Sequence, residues 1–148
     1  MGNLNQKQYF SKNDQNIGIK PKFEGFLKNG NIDVSLFDYY AEKITDYWFL
    51  DCRISLSKSQ IRNIYNEVKS IEKIAKNDKD KALIRLKMLK SKIRYNEARD
   101  TNKLNDKFGE EIISWINCVT EKEFKKEFDA FCKLFEAVVG FSYKYARK

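Results

Sequence analysis

Between Leu36 and Val138 apolar residues return every three or four positions, the period of helices that bury one face. Leu36, Tyr40, Ile44 and Trp48 predict a first helix, capped by Ser35 and running to about Phe49, and Asp51–Ser55 breaks the period. Ser57 followed by Gln60 is a capping box, in which each side chain satisfies a backbone donor of the other residue. It opens a second helix with an apolar face of Ile61, Ile64, Tyr65, Val68, Ile71 and Ala75, ending near Asn77 and Asp78. A third helix is predicted from about Asp80 to Arg99. It has Ala82, Leu86, Leu89 and Ile93 on one side and Ile84, Met88, Tyr95 and Ala98 on another, the pattern of a helix sandwiched between neighbours. The fourth, about Asn102 to Cys118, carries Leu104, Phe108, Ile112 and Trp115; the fifth starts from a second capping box, Thr120 with Glu123, and carries Phe124, Phe128, Phe131, Phe135 and Val138. Short connectors between five amphipathic helices make an all-α bundle over residues 34–148. Residues 1–33 hold four of the six glycines and the one proline and read as an irregular N-terminal arm.

The length, 148 residues, implies one domain and suffices to bury a core without a disulfide or metal staple. The scarcity of Gly and Pro disfavours turn-rich β architectures. With no His there is no Ser-His-Asp or Cys-His arrangement and no imidazole ligand for zinc. Cys52, Cys118 and Cys132 lack paired C-x-x-C spacing and are expected to be reduced, buried thiols. Neither common glycine-rich phosphate loop occurs, no carboxylate cluster stands out for a metal, and nothing approaches 18 uninterrupted apolar residues. The expectation is a soluble, cytoplasmic protein that is not an enzyme, with no cofactor, no metal and no membrane partner.

Charge changes the picture, because the net +8 is unevenly spread. Residues 1–78 hold 12 basic against 10 acidic side chains, residues 79–99 hold 8 against 2, and residues 100–148 hold 9 against 9. Three quarters of the excess therefore sits on the third helix, in Lys79, Lys81, Arg85, Lys87, Lys90, Lys92, Arg94 and Arg99. At about 100° per residue, Lys58, Arg62, Lys69, Lys73 and Lys76 of the second helix share an arc of roughly 60°, and Lys81, Arg85, Lys92 and Arg99 share a similar arc on the third. Two like-charged stripes on antiparallel neighbours repel unless an anion lies along them or they face water separately. A groove for a polyanion is the functional reading; a solvated helix face is the plain one.

Tyr65 and Tyr95 lie near the stripes, where they can stack on bases, although aromatic residues at helical spacing more often belong to the core. Arg62 or Arg99 can instead brace the bundle by pairing with Glu136, a carboxylate inside the apolar run 134–139.

Three segments carry a resemblance. Leu56-Ser57-Lys58-Ser59-Gln60-Ile61-Arg62 resembles an L-x-x-S-Q-I-R signature. Tyr95-Asn96-Glu97-Ala98-Arg99 resembles a Y-x-x-x-R helix end, and residues 131–141 resemble an F-x-x-x-F-E-A-[IV]-[VIL]-x-[YF] block. In this order they resemble the small subunit of type III-A CRISPR-Cas effector complexes, the Csm complexes. That resemblance covers about Leu36 to Tyr145 and implies a helical, non-catalytic subunit of antiviral defence. Such a subunit stacks in several copies beside the other Csm subunits and lines the path of single-stranded target RNA and its duplex with the CRISPR RNA. It also implies RNA contact at Arg62 and Arg99; the stripe geometry extends the candidates to Lys58, Lys69, Arg85, Lys92 and Arg94. The alternative is a purely structural assembly subunit that meets only proteins, with partly exposed aromatic patches.

Overall fold

The computed structural model describes residues 18–148. A two-residue hairpin pairs β1 (Leu27–Lys28) with β2 (Asn31–Ile32), Leu27 opposite Ile32. Its turn is Asn29-Gly30 with φ of 55° and 82°, the left-handed pair that an Asn-Gly hairpin turn requires. Five α-helices come after it: α1 (Tyr39–Asp46), α2 (Lys58–Ala75), α3 (Lys79–Ala98), α4 (Asp106–Asn117) and α5 (Phe124–Ser142). The all-α bundle expected from the sequence is what forms. The expected arm up to residue 33 is described only from Gly18, and that part lies on the bundle, with Phe26 buried in the core.

The first helix is the one most altered. A 3-10 turn, Val34–Phe37, precedes α1, and a wider π turn, Tyr47–Asp51, succeeds it. Ser35 caps nothing: the Asp33 carboxylate accepts the Ser35 N–H and caps the 3-10 turn, and Asp38 caps α1. The predicted face survives, since Leu36, Tyr40, Ile44 and Trp48 are all buried. The capping box of α2 forms as read, with Ser57 Oγ accepting the Gln60 N–H at 3.1 Å and Gln60 Oε1 accepting the Ser57 N–H at 2.9 Å. Ahead of α4, Asn105 takes the cap, so that helix begins four residues later than expected. Before α5 only half of the second box exists. Thr120 Oγ1 accepts the Glu123 N–H at 3.2 Å, but the returning carboxylate is Glu127, which accepts from the Thr120 N–H at 2.8 Å and its hydroxyl at 2.6 Å.

α2 packs between α3 and α5, α3 also meets α4, and α1 lies on α5. Trp115 is the hub of the core, its ring 6.1–6.4 Å from those of Phe23, Tyr40, Trp48 and Phe135. One polar chain crosses these apolar contacts. Trp115 Nε1 donates to the Tyr40 hydroxyl at 2.9 Å, Tyr40 donates to the buried carboxylate of Glu111, and Lys20 closes the chain with Nζ 2.8 Å from Glu111 Oε1. Burial and the Glu111 charge push the Tyr40 phenol far above its ordinary pKa, so it stays a donor. Removing that donor leaves a buried carboxylate and a buried indole N–H each short of a partner. Tyr40→Phe is therefore expected to lower unfolding free energy by about 1–3 kcal/mol in urea titration.

Candidate nucleic-acid interface

Several basic residues of α3 make polar contacts within the molecule. Arg85 Nη2 lies 2.6 Å from Glu67 Oε2 and Lys92 Nζ 3.5 Å from Glu67 Oε1. Arg94 bonds Glu97 at 3.0 Å and reaches Glu110 at 3.8 Å. Lys87 donates to the carbonyls of Ile116 and Val119 at 2.9 and 2.7 Å, and Lys90 to Asn117 Oδ1 at 2.7 Å. Two lysines thus sit on the C-terminal end of α4, where free carbonyls and the helix dipole favour cations. Burial, then the nearby Lys90 charge, lowers the Lys87 pKa.

The open polyanion groove expected between the stripes is consequently not there. Like-charged stripes need an anion along them, and α2 supplies it as Glu67. The α2 stripe also lies on a different side of α2 from the one that faces α3. Glu67, facing α3, stands five residues from Arg62, about 140° around the helix axis. The α2 stripe instead borders α5, where Lys69 pairs with Glu72 at 2.9 Å.

Three of the candidates lie at the same end of the α2–α3 pair, Lys58 and Arg62 beside Tyr143 and Arg99 beside Asn102. Lys58 Nζ lies 5.1 Å from the centre of the Tyr143 ring, and Arg62 Nη1 donates to the Tyr143 hydroxyl at 3.3 Å. Arg99 donates to the Asn102 carbonyl at 3.2 and 3.3 Å, and Gln60 Nε2 reaches that same oxygen at 3.2 Å, which ties the end of α3 to the start of α2. The partners of Lys58, Arg62 and Arg99 are neutral; none of the three is ion-paired among the described residues. The sequence candidates therefore divide into three cations with unbalanced charge and four, Lys69, Arg85, Lys92 and Arg94, that face a carboxylate.

Neither arginine braces the bundle through Glu136, which is exposed on α5 and needs no partner. Of the two tyrosines, Tyr65 is half-buried and stacks on Phe135 with centroids 6.1 Å apart, as a core residue does. Tyr95, expected in the core, is 67% exposed. It continues an exposed line with Ile84 and Met88, so the second apolar side of α3 is open rather than sandwiched. All three cysteines are free; Cys132 is buried, and burial pushes its thiol up to about 12, while Cys52 and Cys118 are half-buried.

The family model described as Csm2 Type III-A matches residues 31–148. The chain belongs to the Csm2 family. It is thereby a small subunit of the type III-A CRISPR-Cas Csm complex. No curated protein and no solved structure matches it. Among the described residues no helix of this Csm2 chain is long and apolar enough to cross a membrane. The resemblance read from the three motifs is therefore correct, and two of those motifs, Leu56–Arg62 and Tyr95–Arg99, end on the cations that remain unbalanced. Sequence reading passed over Tyr143, Lys144 and Arg147, since the run Tyr-Lys-Tyr-Ala-Arg-Lys over residues 143–148 has no helical period to flag it.

The Glu67 bridge makes stability depend on pH. Burial acts to raise the Glu67 carboxyl, but the hydrogen bond from Arg85 and the charges of Lys92 and Arg85 outweigh it and hold the group below its ordinary value. A folded pKa lower than the unfolded one stabilises fully above the ordinary carboxylate range, and that stability is lost as pH falls through the folded value. Thermal midpoints measured from pH 7 to pH 3 are expected to fall less steeply in Glu67→Gln than in the parent, from a lower starting point.

Proposed function

We propose that this Csm2 subunit binds RNA through its sugar-phosphate backbone and cleaves nothing. Within the Csm complex it steadies single-stranded target RNA and the duplex that the target forms with the CRISPR RNA, alongside the other Csm subunits and further copies of itself. The observation that carries this reading is the end of the α2–α3 pair, where Lys58, Arg62 and Arg99 meet only neutral groups while Arg85, Lys92 and Arg94 of α3 face carboxylates. Ammonium and guanidinium groups neutralise phosphates without reading bases, so sequence choice is left to guide pairing. Lys69, Arg85, Lys92 and Arg94 come second in this proposal, because each must first leave a carboxylate.

If about four phosphates are held per subunit, the logarithm of affinity falls with the logarithm of salt at a slope of about −3 for a single strand. Arg62→Glu with Arg99→Glu, reconstituted into the Csm complex, is expected to weaken retention of target RNA about tenfold or more in filter binding, with little change in the melting point of the free subunit. Arg85→Glu with Lys92→Glu is expected to do the reverse, lowering the melting point first. Unchanged RNA affinity in the first variant rejects the RNA role.

A second reading concerns α3. Ile84, Met88 and Tyr95 expose 61, 62 and 67% of their surfaces along one line of the helix, as a protein-contacting face does. In this reading the outer side of α3 meets a neighbouring subunit while the end of the α2–α3 pair that carries Lys58, Arg62 and Arg99 meets RNA. Ile84→Glu with Met88→Glu is expected to reduce the amount of this subunit recovered with the Csm complex while leaving the free chain folded by circular dichroism.

A further inference from the structure

The last six residues, 143–148, leave α5 but do not leave the bundle. The Tyr145 and Ala146 N–H groups both donate to the Ser142 carbonyl at 3.0 Å, turning the chain back. Arg147 then forms a parallel bridge with Ser57: its N–H donates to the Leu56 carbonyl at 2.9 Å, and its carbonyl accepts the Lys58 N–H at 2.7 Å. Arg147 Nε donates to Ser55 Oγ at 2.6 Å. The Tyr145 ring stacks on Phe49, centroids 5.2 Å apart, and its hydroxyl donates to Asp46 at 3.1 Å. Lys144 Nζ lies 5.0 Å from the centre of the Tyr145 ring.

This latch does something costly. It fixes a segment carrying Lys144, Arg147 and Lys148 against the helix start that carries Lys58 and Arg62, so that five cations crowd one corner. The carboxylate that meets the tail, Asp46, accepts from a neutral tyrosine, and no ion pair to any of the five exists among the described residues. Along α3 the same chain cancels its crowded cations with Glu67, Glu97 and Glu110; here it orders them and leaves them uncancelled. Held cations of one sign, with an aromatic ring among them, match a phosphodiester chain that runs past all of them.

We propose that the latched tail is a second strand of the RNA site, in which Lys144, Arg147 and Lys148 contact phosphates continuous with those held by Lys58 and Arg62. The proposal rests on the RNA-binding reading above and adds residues to it that lie outside the helices.

The test uses Lys144→Gln with Lys148→Gln, because neither side chain makes a hydrogen bond or ion pair of the latch among the described residues. Full-length chain is assayed with a 5′-labelled single-stranded RNA across a salt series, beside the parent and Lys58→Glu with Arg62→Glu. The tail variant is expected to lose about fivefold or more in affinity, and its log–log salt slope to flatten by about 1.4, the share of two single-strand phosphates. An unchanged affinity and slope in the tail variant, with binding lost in the α2 variant, overturns the proposal and leaves the RNA reading standing. Binding unchanged in both variants overturns both.

Discussion

Two helices that each carry a row of cations lie against one another in this bundle, and the contact is held by a carboxylate placed between them. Glu67 takes Arg85 on one oxygen and Lys92 on the other, seven residues apart on α3 and therefore on the same line of that helix. Without it Arg85 and Lys92 sit together on the α2–α3 seam with no counter-charge, where solvent screens them least. The apolar stripe beneath the seam, Ile64, Val68 and Ile71 against Ala82, Leu86, Leu89 and Ile93, drives association. The carboxylate removes the electrostatic objection to it. Arg94 with Glu97 and Lys87 on the end of α4 repeat the solution on the other flank of α3.

This constraint decides where the molecule can meet a polyanion. Residues 79–99, with a net charge of +6, look like the binding element, but Arg85, Lys92 and Arg94 each face a carboxylate. Among the candidate cations, Lys58, Arg62 and Arg99 lie where α2 begins and α3 ends, and none of them is ion-paired among the described residues. The capping box contributes to that geometry directly. The Gln60 side chain uses its oxygen on the Ser57 N–H and its amide on the Asn102 carbonyl that Arg99 also holds. One residue thereby starts α2, fixes the connector after α3 and keeps Arg99 near the start of α2.

The sequence carried the bundle because its two strongest signals are local. Ser57 and Gln60 settle a helix start three residues apart, and the recurrence of Phe128, Phe131 and Phe135 requires no knowledge of what they pack against. Signals that depended on a neighbour were read less well. Ser35 and Asp33 are both competent caps, and only the 3-10 turn between them selects Asp33 and then Asp38. The outer line of α3, Ile84, Met88 and Tyr95, has the same period as its buried line, so the pattern cannot say which side is covered. The site was half legible for a similar reason. A charge stripe gives the side of a helix, but whether a cation is free depends on which carboxylate it meets: Lys69 and Arg94 find one three residues on, whereas Arg85 takes Glu67, eighteen residues away. The tail corner was invisible, since its order comes from one bridge between residues 57 and 147.

The buried network and the charged corner are joined through one short stretch of chain. α1 places Tyr40 against Glu111 and Trp115, and the same chain, two turns on, offers Asp46 and Phe49 to Tyr145. Between them the backbone widens into a π turn, with the Cys52 N–H reaching the Tyr47 carbonyl at 2.9 Å. Such a turn adds a residue to the helix and rotates the residues beyond it about the axis. Trp48 can then point into the core, against Phe108 at 5.0 Å, while Phe49, the next residue, lies under the tail. Consecutive residues of a helix point about 100° apart, so neighbours face different surroundings. This single segment thereby serves the aromatic core and the surface latch at once. The tail is thus tied to the core through Phe49, whose neighbour Trp48 packs against Phe108 and Trp115.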